Sequence, residues 1–359
     1  MSVLLERAVR AGLSPGWVGL AQGAGAAGLV WCSGRSGVGG EPVQPDLRYD
    51  LASLTKPLAT ATLLLLAMRD GLELDEQVGA LLPELAASSW REVTVGQCAS
   101  HTAGFPAWAP LYALAEASRE GYLRALAGIT PVAAPGEKVV YSCLGYIALG
   151  IALERAASTD LKSLFCELVA APLGLDEELG YAPLAGTPTA AGQRRPLIEE
   201  GLLAARGLSA APPPPPDGAT GCDDGNARGL GGMAGNAGLF GTAAAVARLC
   251  AEFLPGGGEL LGAAEAELAT RCLTPGLEQA RALGWQLAAT AGCSAGPALP
   301  PEAFGHTGFS GTSAWADPAR RQVLVLLGNR LHPGGGLPDL HPLRRRFNNL
   351  AARACLQPS

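Results

Sequence analysis

Lysine is scarce in this chain: among 359 residues it occurs only as Lys56, Lys138 and Lys162. Charged side chains amount to 16%, net charge is −6 and the isoelectric point is near 5.4. No basic block is long enough to follow a phosphate backbone, which argues against nucleic acid as a partner. The run Arg344, Arg345, Arg346 falls in an expected C-terminal helix and reads as a solvated face. The nine cysteines are odd in number and never spaced C-x-x-C, so neither a disulfide framework nor a zinc site is indicated. They are expected to be mostly buried thiols in a reducing compartment. The longest apolar stretch, Leu58 to Met68, is too short to cross a bilayer, so no membrane partner is expected. Glu6, Arg7 and Arg10 stand where an export signal needs an apolar core, which predicts a cytoplasmic address. No G-x-x-x-x-G-K-[ST] motif and no internal repeat occur. What is abundant is apolar surface: 48% hydrophobic residues, enough for one large domain or two interlocked ones.

Residues 2–11 read as an amphipathic helix, and 17–21 and 29–32 as strands joined by a Gly/Ala-rich turn. The run 54–68 is apolar on nearly every side, the pattern of a buried helix. Helices are expected over 111–127, 142–157 and 161–170. Five prolines, Pro212 to Pro216, predict an extended segment within 205–240, followed by the loop GLGGMAGNAGLFG. Helices at 242–254 and 260–272, strands near 284–288, 303–307, 312–316 and 321–328, and a helix at 339–355 complete the chain. This order predicts an α/β unit built from both ends, residues 1–75 and 240–359, with a mainly helical insert at 76–239. The cleft between them is the expected site.

Chemistry is first suggested by Ser53-Leu54-Thr55-Lys56, at the head of the buried helix. Residues three apart share a helix face, so Lys56 can approach the Ser53 hydroxyl. The helix N-terminus favours a developing alkoxide, and burial should lower the lysine pKa and make it a usable base. A capping serine beside a surface lysine fits the same four residues. Neither Lys138 nor Lys162, however, has a serine three residues before it. Tyr141-Ser142-Cys143 follows a turn and opens another helix. A tyrosine next to a lysine ammonium can shuttle a proton, although a packing tyrosine with Ser142 as cap fits equally. The third element is His306-Thr307-Gly308, flanked by strand-like residues, where glycine permits close approach of a substrate backbone.

Together these three elements resemble the penicillin-recognising serine hydrolases: class C β-lactamases, D-Ala-D-Ala carboxypeptidases, D-aminopeptidases and β-lactamase-like esterases. S-x-x-K, a tyrosine motif and an H-T-G variant of K-T-G occur in the family's order. SHTAGF (100–105), YSCLGYIALG (141–150), GLGGMAGNAGLF (229–240) and GNRLHP (328–333) also resemble it. The likeness runs from about Leu29 to Pro333. It implies a β-lactamase/transpeptidase-like sandwich, an antiparallel sheet flanked by helices. It further implies Ser53 as nucleophile, with Lys56 and Tyr141 sharing general-base and general-acid work. The backbone N–H groups of Ser53 and Phe309 would form the oxyanion hole. His306, Thr307 and Gly308 would orient the substrate, and Ser142 and Cys143 would line the cleft. No metal or cofactor is implied, and the expected partner is a small ester or amide. Alternatives are a D-amino-acid-specific peptidase or carboxypeptidase, and a catalytically weak binding or regulatory member.

The chain departs from the family pattern at Cys143, where asparagine is frequent, and at Asn236, where histidine is frequent. Cys222-Asp223-Asp224-Gly225-Asn226-Ala227 stands for a family V-H-D-x-N-A stretch. A thiol is a poor substitute for a substrate-binding amide, which argues against β-lactam or peptide recognition. Two other motifs are set aside. Gly12-Leu13-Ser14-Pro15-Gly16 lacks the strand–turn–helix context of a nucleophile elbow. Gly23 to Gly28, a G-x-G-x-x-G match, precedes a second strand rather than a helix. His101 reads as structural, and Asp223 and Asp224 as solvated loop carboxylates.

Overall fold

The structure is a computed structural model that describes residues 1–23, 28–182, 186–193, 196–214, 221–334 and 336–355. Its strands are β1 (Gly16–Gln22), β2 (Leu29–Gly34), β3 (Tyr49–Asp50), β4 (Leu179–Tyr181) and β5 (Leu239–Gly241). They continue with β6 (Gln286–Leu287), β7 (Phe304–Thr307), β8 (Ser313–Asp317) and β9 (Gln322–Gly328). Six form one antiparallel sheet, ordered β2-β1-β9-β8-β7-β6, and three form a small second sheet, β3-β5-β4.

Side chains alternate across a strand, and here both faces are apolar. Trp17 and Ala21 of β1, Trp315 of β8, and Leu324 and Leu326 of β9 share one face. They pack against the terminal helices Ser2–Arg10 and His341–Ala354 through Leu5, Leu343 and Phe347. Val18, Leu20, Ala314, Val325 and Leu327 occupy the other face, in one core with the helix Ala243–Ala251 and the run beginning at Leu54. The result is a helix–sheet–helix sandwich in which β9 is buried along its whole length.

Several expectations need correction. The helix foreseen over 111–127 breaks into Leu111–Leu114 and Arg119–Ala127, because the Ser118 hydroxyl caps the second by accepting from the Gly121 N–H. The segment 205–240 is not loop throughout. Asp224 caps a short helix, Gly225–Gly229, and residues 239–241 form β5 between β3 and β4. A helix at Leu197–Ala205 went unforeseen. Pro212 to Pro214 lie outside helix and strand, while Pro215 and Pro216 fall outside the described residues. So do 24–27 of the glycine motif, although β1 and β2 on either side pair antiparallel. Only Cys98, Cys222 and Cys250 are fully buried, and Cys166 is exposed. Among the described residues no helix is long and apolar enough to cross a membrane.

Candidate active site

Ser53 lies in a tight helical turn, Ala52–Leu54, that passes through a π-helical turn, Lys56–Ala61, into the α-helix Thr62–Arg69. Such widened turns recur at functional sites. Ala52, just before the serine, has φ 47°, a left-handed conformation that costs a residue with a β-carbon on the order of 1–3 kcal/mol. It is held there by its own N–H, which donates to Asp50 Oδ1 at 2.8 Å. The turn after β7 braces the same segment. Ser310 Oγ donates to Asp50 O (2.6 Å) and Thr312 Oγ1 to Leu51 O (3.1 Å). Two segments some 260 residues apart are thereby fixed on either side of Ser53.

Lys56 is fully buried, and its Nζ donates to Ser53 Oγ at 3.0 Å and to the carbonyl of Asn236 at 3.0 Å. Close backbone packing delivers that carbonyl. Gly235 lies so near the helix Cys143–Ala157 that a β-carbon there would collide with Tyr146 O, and Thr60 Oγ1 donates to Gly235 O at 2.7 Å. The expectation of a lowered lysine pKa is reversed. Burial does pull the ammonium down, but the anionic forms of Cys143 and Tyr141, together with Asp224, outweigh it, and the net direction is upward. Lys56 is therefore a charged donor to Ser53 at neutral pH.

Tyr141 stands at the entrance to the helix Cys143–Ala157, with its ring centroid 5.1 Å from Lys56 Nζ. His101 lies 4.5 Å and His306 5.7 Å from the same ring, centroid to centroid. His101 accordingly belongs to the surroundings of the site. It adopts φ 62° and accepts the Ser142 N–H on Nδ1 at 3.1 Å. Burial, with the positive charges of Arg281 and Lys56, holds both imidazoles well below their usual pKa and thus neutral. The Nε2 atoms of both are buried without a partner.

The remaining foreseen residues divide. Ser142 is the helix cap: its hydroxyl accepts from Leu144 N–H (3.2 Å) and donates to Pro106 O (2.7 Å). Cys143 does line the cleft, as a thiol whose pKa burial raises. Thr307, Gly308 and Phe309 form the wall opposite, with Phe309 47% exposed. The Gly308 N–H donates to Thr312 O at 2.8 Å, and a β-carbon on Gly308 would collide with Thr312 Oγ1. Ser14 of the discarded elbow motif is a buried turn residue bonded to Gly16 O and Asn329.

Two cavities meet at Ser53, Tyr141 and Phe309. One, of about 260 Å³, is cationic, with Arg281, Arg330 and Arg344 around His306 and Thr307. The other, of about 310 Å³, is walled by apolar side chains and floored by Glu199, Asp223 and Asp224. A roomier apolar cleft of 610 Å³ along Leu63, Leu66 and Leu153 includes none of the foreseen site residues.

The arginines went unforeseen. Arg344 in particular is not solvated: it is buried and donates through Nη2 to Gly308 O (2.8 Å) and Thr312 O (2.9 Å). Burial lowers its pKa to about 9. The signal was in the sequence, because Arg344 shares a helical stripe with Phe347, Asn348 and Ala351, all buried. Arg281 and Arg330 carried no comparable pattern. Asp223 and Asp224 are likewise not free loop carboxylates. Asp223 accepts the Gln193 N–H (2.9 Å), and Asp224 caps its helix and accepts from Asn236 Nδ2 (3.2 Å). Among the described residues no three His, Cys, Asp or Glu side chains assemble as a metal site.

The sequence model of one family, described as Beta-lactamase, matches residues 9–348. The chain belongs to the beta-lactamase family. It is 29% identical over 322 residues to a putative D-alanyl-D-alanine carboxypeptidase of Escherichia coli (strain K12), covering 82% of this chain and 71% of the relative. Among solved structures it is similar to EstCE1, described as a hydrolase with promiscuous acyltransferase activity. That likeness has a TM-score of 0.73 at 23% identity and covers 97% of either chain. A family VIII carboxylesterase superposes with a TM-score of 0.72 at 21% identity, over 98% of this chain and 96% of the other. This beta-lactamase-family protein is thus a serine hydrolase with the fold of esterases and penicillin-binding-protein homologues.

Proposed function

We propose that this family member hydrolyses a small ester or amide through an acyl-enzyme on Ser53. The 3.0 Å contact between a buried Lys56 and Ser53 Oγ carries the reading, since a merely capping serine needs no buried cation. Ser53 Oγ attacks the substrate carbonyl carbon and its proton passes to Tyr141 Oη, which acts as base in its phenolate form beside the Lys56 ammonium. The N–H groups of Ser53 and Phe309 hold the oxyanion, on a frame that Ala52, Ser310 and Thr312 keep rigid. Collapse breaks the bond to the leaving group, which takes a proton from Tyr141. Water then attacks the acyl-enzyme by the reverse route and frees Ser53. His306, neutral and against the Tyr141 ring, adds no further positive charge beside Lys56, and Thr307 orients the substrate. No cofactor enters this scheme. The sheet takes its six strands from 16–34 and 286–328 only, which supports treating 1–75 with 240–359 as one unit and 76–239 as an insert.

A second reading, carboxypeptidase action, is favoured by the three arginines, which suit a carboxylate on one arm of the substrate. The Escherichia coli relative's name agrees with it. Turnover of 4-nitrophenyl esters and of a D-Ala-D-Ala peptide by wild type, Ser53→Ala and Arg281→Met tests both. Ester turnover that Ser53→Ala abolishes and Arg281→Met leaves intact supports the first. Peptide turnover lost in both variants supports the second. No turnover of either substrate points to a binding or regulatory member.

A further inference from the structure

The helix Leu197–Ala205 has no part in the proposed chemistry, yet it forms one wall of the 310 Å³ cavity beside Ser53. Ile198 and Leu202, four residues apart, share a face and line that cavity with Trp108 across from them and Leu331 and Phe309 at its edge. Leu202 is 41% exposed and Phe309 47%, large apolar side chains left open around a nucleophile rather than scattered. Exposed apolar surface gathered in a concave site marks a ligand.

The floor has the opposite character. Glu199 accepts the Gly225 N–H (2.8 Å) and the Tyr112 hydroxyl (3.2 Å) and lies 3.5 Å from Arg228. Asp223 and Asp224 are held by backbone N–H groups as described above. These side chains fasten the helix to the body of the protein, and among the described residues the pocket holds no arginine to attract an anion. On the other side of Ser53, Arg281, Arg330 and Arg344 attract one. A cationic cavity and an apolar one therefore sort the arms of a substrate, and a molecule bridging them binds in one orientation.

We propose that the pocket under the helix Leu197–Ala205 is a specificity site for an extended, uncharged aliphatic arm of the substrate. This rests on the proposed serine hydrolase reading and adds the substrate class: esters or amides with an unbranched aliphatic chain, not acetyl-sized ones. Each further methylene buried raises the rate about four-fold.

Alkanesulfonyl fluorides test this, because they modify the nucleophilic serine and lose only fluoride. Modification of Ser53 by methanesulfonyl and hexanesulfonyl fluoride is followed by intact mass in wild type, Ile198→Trp and Leu202→Asp. Wild type should react with the hexyl reagent at least ~10-fold faster than with the methyl one, as burial of several methylenes requires. Both variants should bring that ratio near one while reacting with methanesulfonyl fluoride within about three-fold of wild type, since neither side chain touches the reacting atoms. Retained methyl reactivity also shows that the variants are folded. A wild-type ratio near one, or a ratio unchanged in both variants, overturns the inference and leaves the serine hydrolase reading standing. Failure of both reagents on wild-type Ser53 overturns that reading, and this inference with it.

Discussion

Lys56 Nζ and the carbonyl oxygen of Asn236 lie 3.0 Å apart across 180 residues of sequence. With Ser53 Oγ as its other acceptor, the lysine is held in the interior by two oxygens, neither of them a carboxylate. The ammonium has no directly bonded anion, and it touches the nucleophile.

Replacing that cation should therefore separate stability from activity. Lys56→Met removes the buried charge at similar volume, and its apolar gain offsets the hydrogen bonds lost at Ser53 and Asn236 O. We expect a melting temperature within a few degrees of wild type and ester kcat lower by about 10²–10⁴-fold, the range for lost acid–base catalysis. Calorimetry and steady-state kinetics on one preparation check both. Unchanged kcat would remove Lys56 from the mechanism.

Cys143 faces the same cleft as Ser53 and offers only a weakly hydrogen-bonding thiol. Cys143→Asn places an amide there. The expected outcome is faster acylation by a penicillin, by roughly ten-fold or more, the worth of one good hydrogen bond to a polarised carbonyl. Hydrolysis of a simple ester should change little. Stopped acylation followed by mass measurement reads the first effect, and an unaltered penicillin rate would mean that position 143 does not contact the acyl carbonyl.

The buried carboxylates Asp50, Asp223 and Glu199 should give stability a distinct pH dependence. Burial raises Asp50 to about 6 and Asp223 and Glu199 to about 7, the nearby acids adding to it. Acids held above their unfolded values stabilise the fold fully below those unfolded values, and that contribution is lost as pH rises through the folded ones. Their share of stability should therefore decline between about pH 4 and pH 7. Glu199→Gln should flatten that decline in chemical denaturation series. An equally steep decline in the variant would show that Glu199 does not titrate in this window.

The motifs that meet at Ser53 and the large sheet were legible because each is a local pattern. Ser53 and Lys56 stand three residues apart, and the alternation of apolar residues along β1, β8 and β9 is short-range. The second sheet was not legible, since β3 has two residues and exists only by pairing with β5, nearly two hundred residues later. The Asn236 carbonyl was invisible for a related reason: any residue supplies a backbone oxygen, and only the close packing of Gly235 on the helix Cys143–Ala157 puts this one beside Lys56. The arginines of the cationic cavity, 281, 330 and 344, come from three separate segments and share no motif. Lys56 was misjudged in its pKa because burial was weighed without the neighbours that tertiary structure supplies.

The most direct test of Ser53 as an acylated nucleophile is intact-mass measurement, with peptide mapping, of folded protein treated with a fluorophosphonate probe. The account predicts one adduct per chain, mapped to Ser53, absent in Ser53→Ala and formed more slowly in Lys56→Met. Folded wild-type protein that acquires no adduct, or acquires it on another residue, would contradict it.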